Sequence, residues 1–230
     1  MRIPVLDHGY VELRNLAGPI RRPEAQFDAH DHDPAKSARM SFGALDESRD
    51  PELDSKLTAY LATHQHTTPF EMVECWMVMK LPIFVARQFV RHRTTSINEI
   101  SGRYVPLPDD WYIPDPAKVG LSAANVKQGR AEGVNPNAEW FCGELNKDCK
   151  QSYGLYLTAI AQGIPNELAR LALHLNHYTI WLWKQDLHNM THFLHKRLAS
   201  DAQWEAQQYG QAIRELLSRH LPELTSRLVP

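Results

Sequence analysis

The sequence has few cysteines and no long apolar run. Its three cysteines, Cys75, Cys142 and Cys149, are odd in number and have no CxxC spacing. This usage indicates reduced thiols rather than a disulfide frame, and it gives no zinc knuckle. No segment approaches the roughly 20 apolar residues that a membrane span requires, and the first residues contain no apolar run of signal-peptide length. We therefore expect a cytoplasmic protein without a membrane partner.

The sequence also lacks an excess of charge of either sign. It contains 25 lysines and arginines against 27 aspartates and glutamates, a formal net charge of -2. A general nucleic-acid binder normally carries a basic excess, so no nucleic-acid partner is expected and any phosphate site must be local. The glycine-rich GxGxxG fingerprint is missing as well, so a dinucleotide would not be held by a Rossmann unit.

What the sequence does contain is a mixture of strand and helix patterns. Residues 5–16 have the pattern of a strand or hairpin at a sheet edge, and residues 72–80 alternate like a strand. Residues 50–64 and 137–163 repeat apolar side chains at helical spacing. The mixture predicts an α+β fold, a small and mostly antiparallel sheet with long flanking helices and no Rossmann unit, in a single domain over residues 1–230.

Two more helices are predicted in the second half of the chain. One begins at Pro165 and buries a stripe of leucines, Leu168, Leu171 and Leu175. The other closes the chain after a capping box of Ser200 and Gln203, with its apolar side chains in the core. Between the halves, residues 106–136 are rich in proline and glycine and lose periodicity, so we expect an excursion that is only partly ordered.

The most unusual stretch runs from Arg91 to Tyr104 and reads RHRTTSINEISGRY. The apolar residues before it predict a helix that begins at Pro82 and brings Gln88, Arg91 and His92 onto one face. Residues 94–102 follow no period and are predicted to form a loop rich in hydrogen-bond donors. Such a loop suits a ligand with phosphates and polar ring edges, although a short basic cluster can also be a solvated surface loop.

The whole stretch resembles the signature of the flavin-dependent thymidylate synthases. In that signature Arg-His-Arg is followed, after seven intervening residues, by a serine, and here Arg91, His92 and Arg93 are followed by Ser101. Two other segments, residues 64–71 and 186–205, also resemble motifs of this family. The resemblance covers nearly the whole chain and is weakest between Pro114 and Asn137.

The resemblance implies a set of ligand-binding residues. The residues expected to bind the substrate nucleotide are Gln88, Arg91, Glu99, Ser101, Gly102, Arg103, Arg170 and Arg197. The residues expected beside the flavin are Ser41, His66, Thr68, Arg91, His92, Arg93, Glu99, Asp186, His188 and His192. Arg170 is expected to reach the nucleotide of a neighbouring subunit, since the family implies a homotetramer with shared active sites.

The resemblance also implies a reaction, the methylation of dUMP at carbon 5 to give dTMP. Methylenetetrahydrofolate would supply the carbon, FAD would carry the hydride and NADPH would reduce the flavin, so dUMP, folate and NADPH are the expected partners. Carbon 5 of uracil is a poor nucleophile, and no cysteine lies in a ligand loop to activate it. Arg197 is therefore predicted to act as the catalytic cation that stabilises the uracil anion. Ser101 has no neighbouring base and is assigned to the phosphate.

Two other functions compete with this one as interpretations of the same residues. A metal-dependent nucleotide phosphohydrolase would use the histidines at helical spacing, His188, His192 and His195, or the His-Asp repeat within residues 25–38. No Glu-x-x-His partner accompanies the histidines, and Pro34 favours a solvated loop for the repeat, so no metal is expected. A nucleotide- or RNA-binding module without catalysis is disfavoured by the nearly neutral net charge.

Overall fold

The computed structural model describes residues 1–44, 50–123 and 129–229, and the strands of this part form one five-stranded sheet. The strands are β1 (Arg2–Val5), β2 (Gly9–Ala17), β3 (Glu74–Pro82), β4 (Ser96–Glu99) and β5 (Tyr178–Asp186). Their order in the sheet is β1-β2-β3-β5-β4, and all pairings are antiparallel. This confirms the predicted antiparallel sheet and the hairpin at its edge, and it differs from the parallel strands of a Rossmann unit.

Helices of very different lengths flank the sheet. They are α1 (Asp33–Arg39), α2 (Pro51–Thr63), α3 (Thr68–Glu71), α4 (Ile83–Phe89), α5 (Ala138–Ala161), α6 (Asn166–Ala169), α7 (Leu187–Arg197), α8 (Trp204–His220) and α9 (Pro222–Leu228). The longest, α5 and α8, have 24 and 17 residues and confirm the predicted long flanking helices. Within the described ranges, none of the helices combines the length and the apolar character of a membrane span.

The core lies between one face of the sheet and α8. Cys75, Met77 and Met79 of β3 are fully buried, as their alternation predicted. Tyr209 and Ile213 of α8 are also fully buried and belong to the same apolar cluster. Each fully buried large apolar side chain contributes about 1.5–3 kcal/mol, so the burial of these side chains in one cluster stabilises the packing of α8 on the sheet.

Strand β5 replaces part of the helix motif expected between residues 183 and 205. Trp181 and Trp183 are 1% exposed and alternate with the exposed Leu182, which is the period of a strand. The strand ends at Asp186, whose side chain accepts from the backbone N–H of Asn189 at 2.8 Å and begins α7. The alternation of β5 is easily missed in the sequence, because the residues that follow it repeat at helical spacing.

The stretch around the Arg-His-Arg motif also differs from expectation. Helix α4 ends at Phe89, so Gln88, Arg91 and His92 do not share a helix face. Residues 94–102 are not a plain loop, because they contain β4, which pairs with β5. An edge strand with mostly exposed side chains has no hydrophobic period, and backbone hydrogen bonds to β5 therefore hold this one without leaving a pattern in the sequence.

The His-Asp repeat within residues 25–38 is not a solvated loop throughout. Helix α1 begins inside it at Asp33, which is fully buried. The Asp33 carboxylate accepts from Arg22 Nη1 at 3.1 Å and from the backbone N–H of His30 at 2.8 Å. The repeat therefore holds α1 in place through a buried ion pair that spacing alone did not reveal.

Two predictions about helices after residue 160 are wrong. The helix expected from Pro165 is the short α6, followed by a 3-10 turn at Arg170–Ala172. Its leucine stripe is uncovered in the single chain, since Leu168, Leu171 and Leu175 are 54%, 78% and 66% exposed. The capping box at the start of α8 is also wrong, because Gln203 is itself the N-cap and makes no capping bond with its side chain.

The proline- and glycine-rich excursion is described only in part, since residues 124–128 lie outside the described ranges. Its described portions are anchored at several points. Trp111 forms an isolated β-bridge with His177, and Leu121 forms another with Ala131. Arg130 pairs with Glu205 of α8 at 2.6 Å, so both flanks of the excursion are attached to the rest of the protein.

A buried ion pair between α1 and α2 gives a test of the fold. Arg39 and Asp54 are 7% and 2% exposed and are hydrogen-bonded to each other. Asp54→Ala leaves the guanidinium buried without its partner, and we expect it to lower the free energy of unfolding by about 3–5 kcal/mol in urea titrations.

The matched control is Glu52→Ala on the same helix. Glu52 pairs with Lys56 at 2.6 Å, and the two side chains are 71% and 67% exposed. Loss of such an exposed pair costs at most about 1 kcal/mol. Equal effects of Asp54→Ala and Glu52→Ala would contradict the assignment of a structural role to the buried pair.

Candidate active site

Two segments that are far apart in the sequence meet at Arg197 and His92. Arg197 ends α7, and His92 follows α4 by three residues. Arg197 Nε and Nη2 lie 3.2 and 2.9 Å from His92 Nε2. The His92 ring packs on Phe193, with ring centroids 4.9 Å apart, and its centroid lies 6.1 Å from that of His192. This contact joins two of the three motif segments.

His92 is held in its neutral form. Burial, and then the charges of Arg197 and His192, lower its pKa to about 4. A neutral imidazole whose Nε2 faces a guanidinium accepts the hydrogen bond there. Burial also lowers the pKa of Arg197, but an arginine remains cationic near neutral pH. The pair thus consists of a fixed cation oriented by a neutral acceptor, which leaves the positive charge uncancelled.

Arg197 lines a cleft of about 790 Å³ that is rich in cations. Its basic walls are formed by Arg87, Arg91, Arg130, Lys196 and Arg197. The amides of Gln88 and Gln203 and the carboxylate of Asp201 complete its polar lining. Clustered cations in a cleft attract anions even when the whole protein is nearly neutral. The cleft is therefore a local concentration of positive charge that suits an anionic group.

A second, smaller cleft of about 290 Å³ contains Glu99, Ser101, Gly102 and Arg170. Glu99 accepts from the hydroxyl of Thr179 on β5 at 2.5 Å. A Cβ at Gly102 would lie 2.9 Å from the side chain of Leu107 and 3.4 Å from that of Arg170. Only glycine fits there without a shift, because a larger residue would have to displace the end of the Leu107 side chain. Arg170 was expected to reach a neighbouring subunit, and here it lines the cleft of its own chain.

A third cleft, of about 1000 Å³, brings together Ser41, His66 and Thr68. Tyr60, Met72 and the aliphatic neighbours of α2 make its lining largely apolar. Its size and mixed character fit a flat aromatic cofactor. Nη1 of the buried Arg39, which also lines the cleft, has no hydrogen-bond partner among the residues that the structure describes. A fourth cleft, of about 540 Å³, lies next to it and contains His66 and His188.

Five of the predicted residues line none of these four clefts, and one of them is His92, whose contact with Arg197 is described above. Arg93 is exposed, and His192 is exposed beside His92. Arg103 Nε pairs with Glu167 at 3.3 Å, and Asp186 caps α7. In one chain the predicted site is thus divided among separate clefts.

The three histidines of α7 point to different surroundings. His188 lies near His66, His192 faces the His92 ring, and His195 Nε2 contacts the carbonyl oxygen of Leu228 at 2.9 Å. In the part of the chain that the structure describes, no group of three or more His, Cys, Asp or Glu side chains is arranged to hold a metal ion. The histidine stripe therefore gives no support to a metal-dependent phosphohydrolase.

Sequence reasoning missed several residues of the cationic cleft, including Arg87, Arg130 and Lys196. Arg87 and Lys196 are adjacent to predicted site residues, and this proximity was the available signal. Arg130 lies in the aperiodic excursion, which has no recognisable pattern. The capping box assigns Gln203 to a helix start and the family motif ends at Glu205, whereas the structure gives both residues partners at the cleft.

The fold and the clefts define a class, an α+β protein with one strongly cationic cleft that suits an anionic ligand and with a larger, mostly apolar cleft. The family model described as thymidylate synthase complementing protein matches residues 25–223. A flavin-dependent thymidylate synthase of Thermus thermophilus is 41% identical over 222 residues, which are 96% of this chain and 76% of the relative. One from Ehrlichia ruminantium is 38% identical over 219 residues, 95% and 69% of the two chains. The chain belongs to the flavin-dependent thymidylate synthase family and is an enzyme.

Solved structures show the same fold. A UMP/dUMP methylase, PolB from Streptomyces cacaoi, bound with 5-Br dUMP, superimposes with a TM-score of 0.82 at 23% sequence identity. The match covers 98% of this chain and 96% of that one. At this identity the likeness establishes the α+β architecture with its antiparallel sheet, and it agrees with the sheet described above.

The neutral state of His92 makes stability depend on pH. Its folded pKa lies below that of a free histidine, so the folded chain binds fewer protons than the unfolded chain between about pH 6.5 and about pH 4. This contribution to stability is present above the unfolded pKa and is lost as the pH falls toward the folded value. We expect the parent protein to lose about 1 kcal/mol more than His92→Gln between about pH 7 and about pH 5, because His92 is half-buried and screened.

The measurement is the free energy of unfolding in urea at the two pH values. Glutamine is the matched variant because its amide oxygen can accept from Arg197 at either pH without titrating. Other groups that titrate in this range affect both proteins alike. Equal losses of stability in the parent and in His92→Gln would show that His92 is not held neutral by its surroundings.

Proposed function

We propose that this chain is a FAD-dependent thymidylate synthase that converts dUMP to dTMP. In this reaction 5,10-methylenetetrahydrofolate supplies the carbon, NADPH supplies the reducing equivalents and tetrahydrofolate is released. The observation that carries the proposal is the Arg197 guanidinium, which lines a cationic cleft and is held by the neutral His92. It provides a fixed positive charge where a uracil ring would need one.

The chemistry requires that carbon 5 of uracil become electron-rich. A guanidinium against the carbonyl edge of the ring stabilises the anion that forms when nitrogen 3 loses its proton. Arg197 is suited to this role because its partner is neutral and does not cancel its charge. The proton must go to another acceptor, since arginine stays protonated.

The alternative activation, addition of a thiolate to carbon 6, finds no support in the three cysteines. All of them are buried. Burial raises the pKa of Cys75 to about 12, and it raises the pKa values of Cys142 and Cys149 as well. A thiol in such surroundings is protonated and unreactive near neutral pH. Stabilisation by charge is therefore the route that the side chains favour.

The residues proposed for the nucleotide are those of the cationic cleft and of the smaller cleft. Gln88, Arg91 and Arg197 line the larger cleft. Glu99, Ser101, Gly102 and Arg170 line the smaller one, and Arg103 lies beside it in sequence. Arginines and a tightly packed glycine allow close, bidentate approach to a phosphate. We assign the phosphate to Ser101, Gly102 and Arg103 and the ring to Arg197.

The flavin is proposed to lie against the apolar cleft of Ser41, His66 and Thr68, with His188 from the adjacent cleft. When bound, FAD would supply the hydride that reduces the transferred carbon to a methyl group. Arg91, His92, Arg93 and Glu99 would orient the flavin ring so that it stacks against the pyrimidine of the nucleotide. Asp186 would fix the start of α7, and His192 would lie beside His92.

We further propose that the enzyme is a homotetramer whose active sites are shared between subunits. Two observations support this. The predicted ligand residues are divided among separate clefts of one chain, and large apolar side chains are exposed beside them. Trp140 and Leu155 of α5 and the neighbouring Leu171 are 68%, 63% and 78% exposed. Several large exposed apolar side chains on neighbouring elements are typical of a surface covered by another subunit.

A cytoplasmic location remains part of the proposal. The free thiols of Cys75, Cys142 and Cys149 support a reducing compartment.

Substitution of Arg197 tests the assigned function. We expect Arg197→Ala to retain bound FAD, seen by its visible absorbance, and to release tritium from 5-tritiated dUMP at least about 100-fold more slowly than the parent. Methylenetetrahydrofolate and NADPH are present in both reactions. Arg197→Lys is the matched variant, since it retains the charge and loses the planar fork.

The two Arg197 variants separate charge from geometry. An intermediate rate for Arg197→Lys would support a role for the charge itself. Full tritium release by Arg197→Ala would reject the catalytic role of Arg197. A parent enzyme that forms no dTMP with all substrates and FAD present would reject the proposed function.

The oligomeric state gives a separate prediction. Leu171→Glu places a charge in the exposed apolar area and should convert the tetramer into smaller species in sedimentation velocity. Ser218→Glu, at an exposed polar position of α8, is the matched control and should leave the tetramer intact. A parent protein that sediments as a monomer at all concentrations would contradict the shared-site proposal.

A further inference from the structure

A buried carboxylate with no role in the reaction just described lies at the start of α8. Glu205 is 3% exposed, and each of its oxygens accepts from Arg130 Nη2 at 2.6 Å. Tyr112 donates its hydroxyl to the same carboxylate at 3.0 Å. Burial, and then the charge of Glu205, raises the pKa of Tyr112, so this hydroxyl remains a donor. The negative charge is matched by a full positive charge, as a buried carboxylate requires.

Gln203 connects this carboxylate to the cationic cleft. Its Nε2 donates to Glu205 Oε2 at 2.9 Å, and its Oε1 accepts from Gln88 Nε2 at 2.5 Å. A carboxylate only accepts, so the NH2 group of Gln203 must face Glu205 and its carbonyl oxygen must face Gln88. Gln88 must then turn its own NH2 group toward Gln203. The charge at one end fixes the direction of the whole chain of hydrogen bonds.

Gln88 stands at the other end of the chain, in the wall of the cleft that contains Arg91 and Arg197. With one N–H directed at Gln203, it has one N–H and its carbonyl oxygen left for a ligand. In the opposite orientation its oxygen would meet the oxygen of Gln203, which is repulsive. Without these hydrogen bonds, the Gln88 amide could adopt either orientation, and its side chain would have to be ordered when the ligand binds.

We propose that Glu205 is a positioning residue for the nucleotide, which acts through Gln203 to hold the Gln88 amide in one orientation. In that orientation Gln88 presents one N–H and one carbonyl oxygen to dUMP. This inference rests on the proposed function, because it takes dUMP as the occupant of the cleft. The same carboxylate holds Arg130 and, with it, the second flank of the excursion at the edge of the cleft.

The main experiment breaks this chain of hydrogen bonds at Gln203, its middle residue. Gln203→Met is close in size to the parent side chain but can neither donate to Glu205 nor accept from Gln88. Glu205 keeps its bonds to Arg130 and Tyr112. With the FAD-loaded enzyme, we expect the KM and the calorimetric Kd for dUMP to rise about tenfold, as for the loss of one oriented hydrogen bond. We expect kcat, the KM for NADPH and Tm to change little.

A second variant tests the origin of the orientation. Glu205→Gln keeps the shape of the side chain but can turn either a donor or an acceptor toward Gln203. It should raise the KM for dUMP as Gln203→Met does, and the double variant should be no worse than the poorer single one, because both break one chain. Tyr112→Phe is the matched control, since it removes one bond to Glu205 without touching the chain, and it should keep the parent KM.

The outcomes separate this inference from the proposed function. If the parent is active and Gln203→Met binds dUMP as tightly as the parent does, the inference fails and the function stands. If the parent makes no dTMP, the function fails. Should Glu205→Gln not fold because Arg130 loses its partner, Gln203→Asn decides instead. Its amide is one methylene too short to reach both neighbours, and a parent-like KM for dUMP in that variant would overturn the role of the chain.

Discussion

The hydrogen bond between Arg197 and His92 is the contact on which the site depends. It joins residues 105 positions apart in the chain and works only while the imidazole is neutral. A carboxylate in place of His92 would orient the guanidinium equally well, but it would cancel the charge that the reaction needs. Burial and the neighbouring cation lower the pKa of His92 to about 4, so the conditions that make Arg197 useful also keep its partner neutral.

Strand β5 connects the elements that carry the proposed nucleotide residues. It pairs with β3 on one side and with β4 on the other, and it ends at Asp186, which begins α7 and so sets the direction in which Arg197 extends. Strand β4 leads directly into the cleft of Ser101 and Gly102. A single strand, β5, therefore supports the proposed nucleotide residues of two segments that are far apart in the sequence. The small net charge of the chain is consistent with this local concentration of cations.

The elements that the sequence predicted best are those with one buried apolar face, such as β3 and α8, because a single apolar face produces a clear period. Strand β4 was missed because backbone bonds to β5 stabilise it and its side chains are exposed. The motif residues could be named from resemblance, but their pairing could not. The predicted extension of α4 to His92 was wrong, and the chain from Glu205 to Gln88 joins residues more than 100 positions apart, which no local pattern reports.

The most direct measurement is a crystal structure of the enzyme with FAD and dUMP bound. The account predicts that the Arg197 guanidinium lies within about 3 Å of a uracil carbonyl oxygen while His92 Nε2 still accepts from it, with the flavin ring against the pyrimidine. A structure in which Arg197 contacts only the phosphate or solvent, or in which His92 has turned away from it, would contradict the central claim.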